Sequence, residues 1–132
     1  MADFDRTASV ERLTGDAAQR VVFDADLSST SVADTSCGVI FVHAFWAVSS
    51  AAALKRFCET IVRVDPDGRL SFTVCDIDEI ERLRDDLYGG DRSGGNGDIV
   101  WVRGGMVRAR HNSSRECDFA TATRSLLAEC NA

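Results

Sequence analysis

Apolar residues in this 132-residue chain gather in short runs, and one of them is GVIFVHA at positions 38–44. This run has no polar face, which is typical of a central strand that is covered on both sides. Two shorter runs rich in β-branched and aromatic residues, RVVFD at 20–24 and LSFTVC at 70–75, also favour strands. The pattern predicts a sheet with residues 38–44 in its interior.

Between and after these strands, apolar residues recur at helical spacing. In the segment that begins at Ser49 or Ser50, four of them fall at positions i, i+3, i+4 and i+7: Leu54, Phe57, Cys58 and Ile61. Either serine is expected to cap this helix, and the turn sequence DPDG at 65–68 is expected to end it. Residues 77–87 and 117–132 show the same spacing and predict two further helices.

The segment 98–111, DIVWVRGGMVRARH, predicts two strands joined by two adjacent glycines, a hairpin signal. Strands separated by helices favour parallel pairing, and the hairpin adds an antiparallel pair. We therefore expect an α/β fold, with central parallel strands and a C-terminal antiparallel hairpin in one mixed sheet. A single domain over 20–132 is expected to follow a polar N-terminal extension, residues 1–19, where a short helix could begin near residue 9.

The net charge of −6, from 21 acidic and 15 basic residues, makes general binding to nucleic acid or to an anionic membrane unfavourable. The first residues show neither the basic nor the apolar segment of a secretory signal. No apolar run approaches the ~20 residues that a transmembrane helix needs. We expect a cytoplasmic location and another protein as the partner, with no nucleic acid and no membrane.

The five cysteines are an odd number without a C-x-x-C pair, which favours reduced thiols in this setting. Cys58 and Cys75 fall at apolar positions and are expected in the core, whereas Cys37, Cys117 and Cys130 are expected to be more exposed. Cys117 and Cys130 would lie ~20 Å apart along one helix, too far for a disulfide. No cysteine or histidine pair has metal-ligand spacing, so neither a metal nor a cofactor is expected.

Three arginines of the predicted hairpin, Arg103, Arg108 and Arg110, form a local basic patch in an acidic protein. The alternation of a strand predicts that Arg108 and Arg110 share one face. The patch is either a docking site for an acidic partner or charge that blocks pairing of the sheet edge with another strand. His43, in the central strand, is expected to be buried and hydrogen-bonded.

Three segments resemble the thioredoxin family, in the same order and at similar spacing. VHAFWA at 42–47 resembles the strand end that precedes the family's active site, and CDID at 75–78 resembles the end of its third strand. IVWVRGGMV at 99–107 resembles its terminal hairpin. The resemblance covers about residues 20–130 and implies a thioredoxin-like three-layer α/β/α sandwich.

The residues that carry disulfide exchange in that family are absent from this sequence. The window that corresponds to the family's C-x-x-C, residues 48–53, is VSSAAA, and the position of its cis-proline is about Gly97. Ala44 and Val74 stand where the family has a buried aspartate and its lysine partner. The resemblance therefore implies the fold without the redox chemistry, and no catalytic residue is assigned.

The leading hypothesis is a redox-inactive thioredoxin-like domain that binds another protein through the face where the family has its active site. The candidate face comprises Trp46, Val48, Ser49, Ser50, Gly97 and Asp98. Two alternatives stay open: a thiol oxidoreductase that uses a non-standard cysteine, Cys37 or Cys117, and a structural subunit of a larger complex. A fast-reacting thiol in the native protein would favour the oxidoreductase.

Overall fold

A computed structural model of the chain describes residues 5–27, 32–80, 97–111 and 116–130, with residues 116–118 described by their backbone. The helices in these ranges are α1 (Arg6–Thr14), α2 (Val48–Val64) and α3 (Glu116–Cys130). The strands are β1 (Val21–Phe23), β2 (Cys37–His43), β3 (Ser71–Asp76), β4 (Asp98–Arg103) and β5 (Met106–His111). Short 3-10 turns follow α1 at Gly15–Arg20 and β3 at Ile77–Glu79.

The strands form one mixed sheet in the order β1-β3-β2-β4-β5. The central strand, β2, pairs in parallel with β3 and antiparallel with β4. β1 lies parallel to β3 at one edge, and β5 lies antiparallel to β4 at the other. Every residue of β2 after the first is buried, as its two apolar faces require. The predicted interior strand and the predicted hairpin are therefore confirmed.

One face of the sheet packs against α2 and α3, around the ring of Phe57 in α2. This ring lies edge-to-face with Phe72 of β3, Trp101 of β4 and Phe119 of α3, at centroid distances of 5.2, 6.3 and 5.6 Å. Such aromatic pairs are favourable at these separations. The indole Nε1 of Trp101 also donates to Thr123 Oγ1 of α3 at 3.0 Å. These contacts fix both helices on the sheet.

The residues before β1 belong to the same core. Val10 of α1 and Ala17 of the following turn are buried in the cluster around Phe57. Farther along, the Arg20 guanidinium contacts the carboxylate of Asp65 at the end of α2 at 2.5 Å. The predicted boundary at residue 20 therefore separates elements that share one apolar core.

The other face of the sheet carries a second apolar cluster: Leu27, Ile40, Val42, Cys75, Ile80, Val100 and Val102. Of the helix predicted over 77–87, the described residues show the 3-10 turn Ile77–Glu79, and the positions from 81 onward lie outside the described residues. No helix in the described part of the chain is long and apolar enough to cross a membrane. The architecture is the expected α/β fold with a mixed sheet.

The start of α2 differs from the prediction. The helix begins at Val48, and its N-cap residue is Ala47, which offers no side-chain cap. Ser50 lies inside the first turn and is buried, because its hydroxyl turns back to accept the Ala44 N–H at 3.0 Å. The predicted serine cap is therefore wrong: Ser50 bonds the strand end instead of the helix's own backbone.

Candidate functional site

Two apolar side chains near the junction of β2 and α2 lie in solvent. Trp46 is 66% exposed and Val48 is 87% exposed. Ser49 beside them is also exposed. All three follow the carboxyl end of β2, and we call them the Trp46 surface. They form the accessible part of the predicted binding face.

The other three members of the predicted face, Ser50, Gly97 and Asp98, are buried. Because α2 begins at Val48, its first turn directs Ser50 and Ala53 toward the sheet, and Gly97 packs on them. Ser50, Gly97 and Asp98 are therefore inaccessible to a partner.

Beneath the Trp46 surface, Ser50 and His43 form a hydrogen-bonded pair. Ser50 Oγ lies 2.7 Å from His43 Nδ1. The same oxygen accepts the Ala44 N–H, and because a hydroxyl oxygen can accept two hydrogen bonds, the tautomer of His43 sets which of the pair donates. The pair ties the start of α2 to the end of β2. Sequence reasoning predicted the buried histidine but missed its serine partner, seven positions away.

A serine beside an imidazole is also a pairing used in nucleophilic catalysis, but here solvent reaches neither group. Burial lowers the pKa of His43 to about 4, against the opposing effect of Asp76, its register partner on β3. The imidazole is therefore neutral at physiological pH. The arrangement is a structural tie between strand and helix.

The His43 pKa predicts how stability depends on pH. Below pH 6.5 the unfolded chain takes up a proton on this imidazole, whereas the folded chain does so only near pH 4. Because the unfolded state binds more protons in that window, the free energy of unfolding should fall by up to about 3 kcal/mol as the pH drops through it. Above pH 6.5 both states are neutral and the contribution vanishes.

Urea titrations of the wild type and of His43→Gln, across the same pH range, measure this contribution. The glutamine keeps a polar group near Ser50 but does not titrate, so the difference between the two proteins isolates His43 from the carboxylates and from His111. Parallel loss of stability in both proteins would contradict the prediction.

Gly97 lies against the first turn of α2, near the place that the family resemblance assigns to the cis-proline. Its φ is +90°, and an added Cβ would lie 2.8 Å from Phe41 Cζ and 2.9 Å from Ala53 Cβ. Proline fixes φ near −65°, so the conformation here excludes it. No cis peptide bond occurs in the described ranges. The backbone approaches Ser50 and Ala53 closely because residue 97 is glycine.

We expect Gly97→Ala to lower the free energy of unfolding by about 2–3 kcal/mol, through strain at positive φ and overpacking. Gly104→Ala is the matched control, because its φ is +59° but no atom lies within 4 Å of the added Cβ. That control should lose only about 1 kcal/mol. Chemical denaturation measures both, and equal losses would show that the contacts at Gly97 relax without cost.

The described cysteines are of two kinds. Cys58 and Cys75 are buried free thiols, as expected; burial raises the pKa of Cys58 to about 12 and raises that of Cys75 as well. Cys37, the first residue of β2, forms a disulfide with Cys130, the last residue of α3. The expectation of reduced thiols is therefore wrong for this pair. The Cys117 side chain lies outside the described residues.

A β-bulge divides the predicted basic patch. The register of β4 with β5 shifts opposite Arg108, which turns toward α3 and donates to Glu129 at 2.6 Å. Arg103 lies 3.6 Å from the same carboxylate. Arg110 pairs in register with Val100 and faces the other side of the sheet. The prediction that Arg108 and Arg110 share a face is wrong, and Glu129 offsets part of the charge.

At the carboxyl end of β3, acidic side chains bond the backbone and one arginine. Asp76 accepts from Arg6 of α1 at 2.8 Å and from the Asp78 N–H at 3.0 Å, while Glu79 lies 3.6 Å from the same guanidinium. Within the described ranges, no group of three histidine, cysteine, aspartate or glutamate residues could hold a metal ion. This edge therefore shows ion pairing and capping.

Several solved structures share this backbone arrangement. A Malassezia sympodialis thioredoxin has 16% identity and a TM-score of 0.64, over 80% of this chain and 92% of that one. Oxidised mitochondrial thioredoxin 3 of Saccharomyces cerevisiae has 13% identity and a TM-score of 0.62, over 81% and 96%. Plasmodium falciparum thioredoxin has 12% identity and a TM-score of 0.53, over 80% and 97%.

No family model and no curated protein matches the sequence. The backbone likeness nevertheless spans almost the whole of each similar structure, and it agrees with the strand order and with the three segments that resemble the family. The chain therefore has a thioredoxin fold.

Proposed function

We propose that this chain is a protein-interaction module that binds its partner through the Trp46 surface and does not catalyse disulfide exchange. The observation that carries the proposal is the exposure of Trp46 and Val48 beside a helix start that holds no sulfur. In the window 48–53 the family resemblance implies two cysteines, and this chain has serine and alanine there. A surface with apolar contacts and no thiols suits binding.

The Trp46 surface is held firmly from beneath. Phe45 lies edge-to-face with Phe23 at 5.7 Å and with His43 at 4.5 Å, and Ser50 bonds His43. A fixed turn that presents an indole loses little conformational entropy when a partner covers it. Tryptophan residues at the centre of interfaces often carry much of the binding energy.

Affinity capture with three forms of the 132-residue chain tests the proposal: wild type, Trp46→Ser and Met106→Ser. Met106 is the matched control, since it is 65% exposed but lies in the β4–β5 hairpin. A partner of the Trp46 surface should bind the wild type and Met106→Ser alike and bind Trp46→Ser at least about tenfold more weakly. Undiminished capture by Trp46→Ser would contradict the proposal.

In the reduction of insulin by dithiothreitol, we expect the chain to leave the rate unchanged. Catalysis requires a thiolate at ambient pH and a resolving thiol nearby. The window 48–53 supplies neither, and burial keeps Cys58 protonated. The turbidity of the precipitating insulin chains measures the rate, with an active thioredoxin as the positive control.

The Cys37–Cys130 disulfide favours one alternative function, a thiol oxidoreductase that uses Cys37. This alternative predicts an accelerated insulin reduction that Cys37→Ser abolishes, and Cys117→Ser would test the other non-standard cysteine. Acceleration by the wild type that either substitution removes would refute the redox-inactive proposal. Capture of a stoichiometric assembly, instead of a single partner, would favour a structural subunit.

We further propose a cytoplasmic location, with neither nucleic acid nor membrane as a partner. The net charge of −6 supports the exclusion of nucleic acid and of anionic membranes. In a reducing cytosol a disulfide is either transient or resistant to glutathione. Rapid alkylation of cell extracts would show the state of Cys37 and Cys130 in the cell. A fully oxidised pair that dithiothreitol opens readily would contradict a cytoplasmic location.

A further inference from the structure

The Cys37–Cys130 disulfide lies at the end of the sheet opposite the Trp46 surface, because Cys37 begins β2 and Trp46 follows its last residue. Its Cα atoms are 6.3 Å apart, within the range that a disulfide spans. Both cysteines are only partly buried, whereas Cys58 and Cys75 lie in the core. We propose that this disulfide is a reversible redox site: a dithiol reductant opens it and thereby releases the last turn of α3.

The contacts of α3 explain why release would stop at the last turn. Phe119 and Leu126 are buried, and Thr123 accepts a hydrogen bond from Trp101, so these residues hold the earlier turns on the sheet without help from the disulfide. In the last turn, Leu127 is only partly buried against the core, and Glu129 makes ion pairs with partly exposed arginines, which stabilise little. The disulfide is thus the firmest attachment of this turn.

The two sulfurs differ in their electrostatic surroundings. Cys37 pairs in register with Arg103 of β4, and the positive charge of that residue, offset in part by Glu129, favours a thiolate at Cys37. Cys130 ends α3 beside Glu129, where the negative end of the helix dipole and a carboxylate both disfavour a thiolate. Cys37 is therefore the better leaving group, and an incoming thiolate should attack Cys130 Sγ.

The reaction balances with a dithiol as the reductant. One thiolate of the dithiol attacks Cys130 Sγ, forming a mixed disulfide, and Cys37 leaves as a thiolate that takes up a proton. The second thiol of the reductant, as a thiolate, then attacks the reductant's first sulfur in the mixed disulfide. This closes the cyclic disulfide and releases Cys130, which takes up a proton. Two protein thiols and one cyclic disulfide result, so two electrons pass from the dithiol to the protein.

Hydrogen exchange of the 132-residue chain, oxidised and after treatment with dithiothreitol, tests the proposal. Cys117→Ser removes the fifth cysteine and so simplifies assignment of the thiols. The same measurement on the wild type shows that any faster exchange after reduction does not come from a folding defect of this variant. Reduction should add two alkylatable cysteines, Cys37 and Cys130, and speed amide exchange at residues 127–130 at least about tenfold. Exchange in β2 should stay unchanged, and reoxidation should restore the original pair. Cys130→Ser should show the same fast exchange at residues 127–130 without reductant, with Cys37 as its one added alkylatable cysteine.

Three results would overturn the proposal. The first is a disulfide that dithiothreitol leaves closed in the folded chain, and the second is reduction that speeds exchange throughout β2. The third is reoxidation that yields a pairing other than Cys37–Cys130. A short reaction with glutathione tests which sulfur is attacked, since glutathione should form its mixed disulfide with Cys130. A mixed disulfide at Cys37 would show that Cys37 Sγ is attacked instead.

Discussion

Phe57→Ala should lower the free energy of unfolding by about 3–5 kcal/mol, the range found when a fully buried aromatic side chain is truncated. Phe57 has no exposed area, and its ring contacts aromatic side chains from β3, β4 and α3. Alanine would remove all three contacts and leave a cavity that rigid neighbouring rings cannot fill. Urea denaturation followed by circular dichroism measures the loss.

Val62→Ala is the matched control for Phe57→Ala, because Val62 lies on the same helix but is 37% exposed. We expect it to change stability by less than about 1 kcal/mol. Similar losses for both variants would show that truncating any side chain of α2 lowers the stability, and that the aromatic contacts of Phe57 are not the cause.

Asp65→Ala should cost a similar amount, about 3–5 kcal/mol, because it breaks a buried ion pair on one side only. The carboxylate accepts from Arg20 at 2.5 Å and from the backbone N–H groups of Arg69 and Leu70, each at 3.0 Å. Alanine would leave these donors without that acceptor and loosen the link between α2 and β3. Arg20 would keep its bonds to the carbonyls of Asp65 and Leu70.

Two substitutions separate the charge of Asp65 from its position in the turn. Asp65→Asn keeps one acceptor oxygen for the backbone and should lose less than Asp65→Ala. Asp67→Ala, in the same turn but exposed, should change stability by less than about 0.5 kcal/mol. Thermal unfolding of the three variants ranks them, and a large loss at Asp67 would contradict the assignment to the buried carboxylate.

Much of the fold could be predicted because local pattern and burial agree. GVIFVHA has two apolar faces, which only an interior strand can bury, and β2 is that strand. The stripe from Leu54 to Ile61 matches the buried side of α2, and the two glycines at 104 and 105 form the β4–β5 turn. In each case the sequence pattern lies within the element that it predicts.

The missed features depend on contacts that local pattern does not encode. Ser50 is a good capping residue and a good buried donor, and only the approach of β2 decides that it bonds Ala44 and His43. Cys37 and Cys130 meet because α3 returns to the start of β2, 93 positions along the chain. A one-residue bulge at Arg108 reverses the face that simple alternation assigns to it.

The two tryptophans differ so much in environment that they form a pair of natural optical probes. Trp101 is 1% exposed and bonded to α3, so its fluorescence should be blue-shifted, inaccessible to acrylamide and sensitive to unfolding. Trp46 is 66% exposed, so its emission should be red-shifted and readily quenched. A ligand that covers the turn after β2 would protect Trp46 and leave Trp101 unchanged. Occupancy of that surface and integrity of the core can therefore be followed separately, in one unlabelled sample.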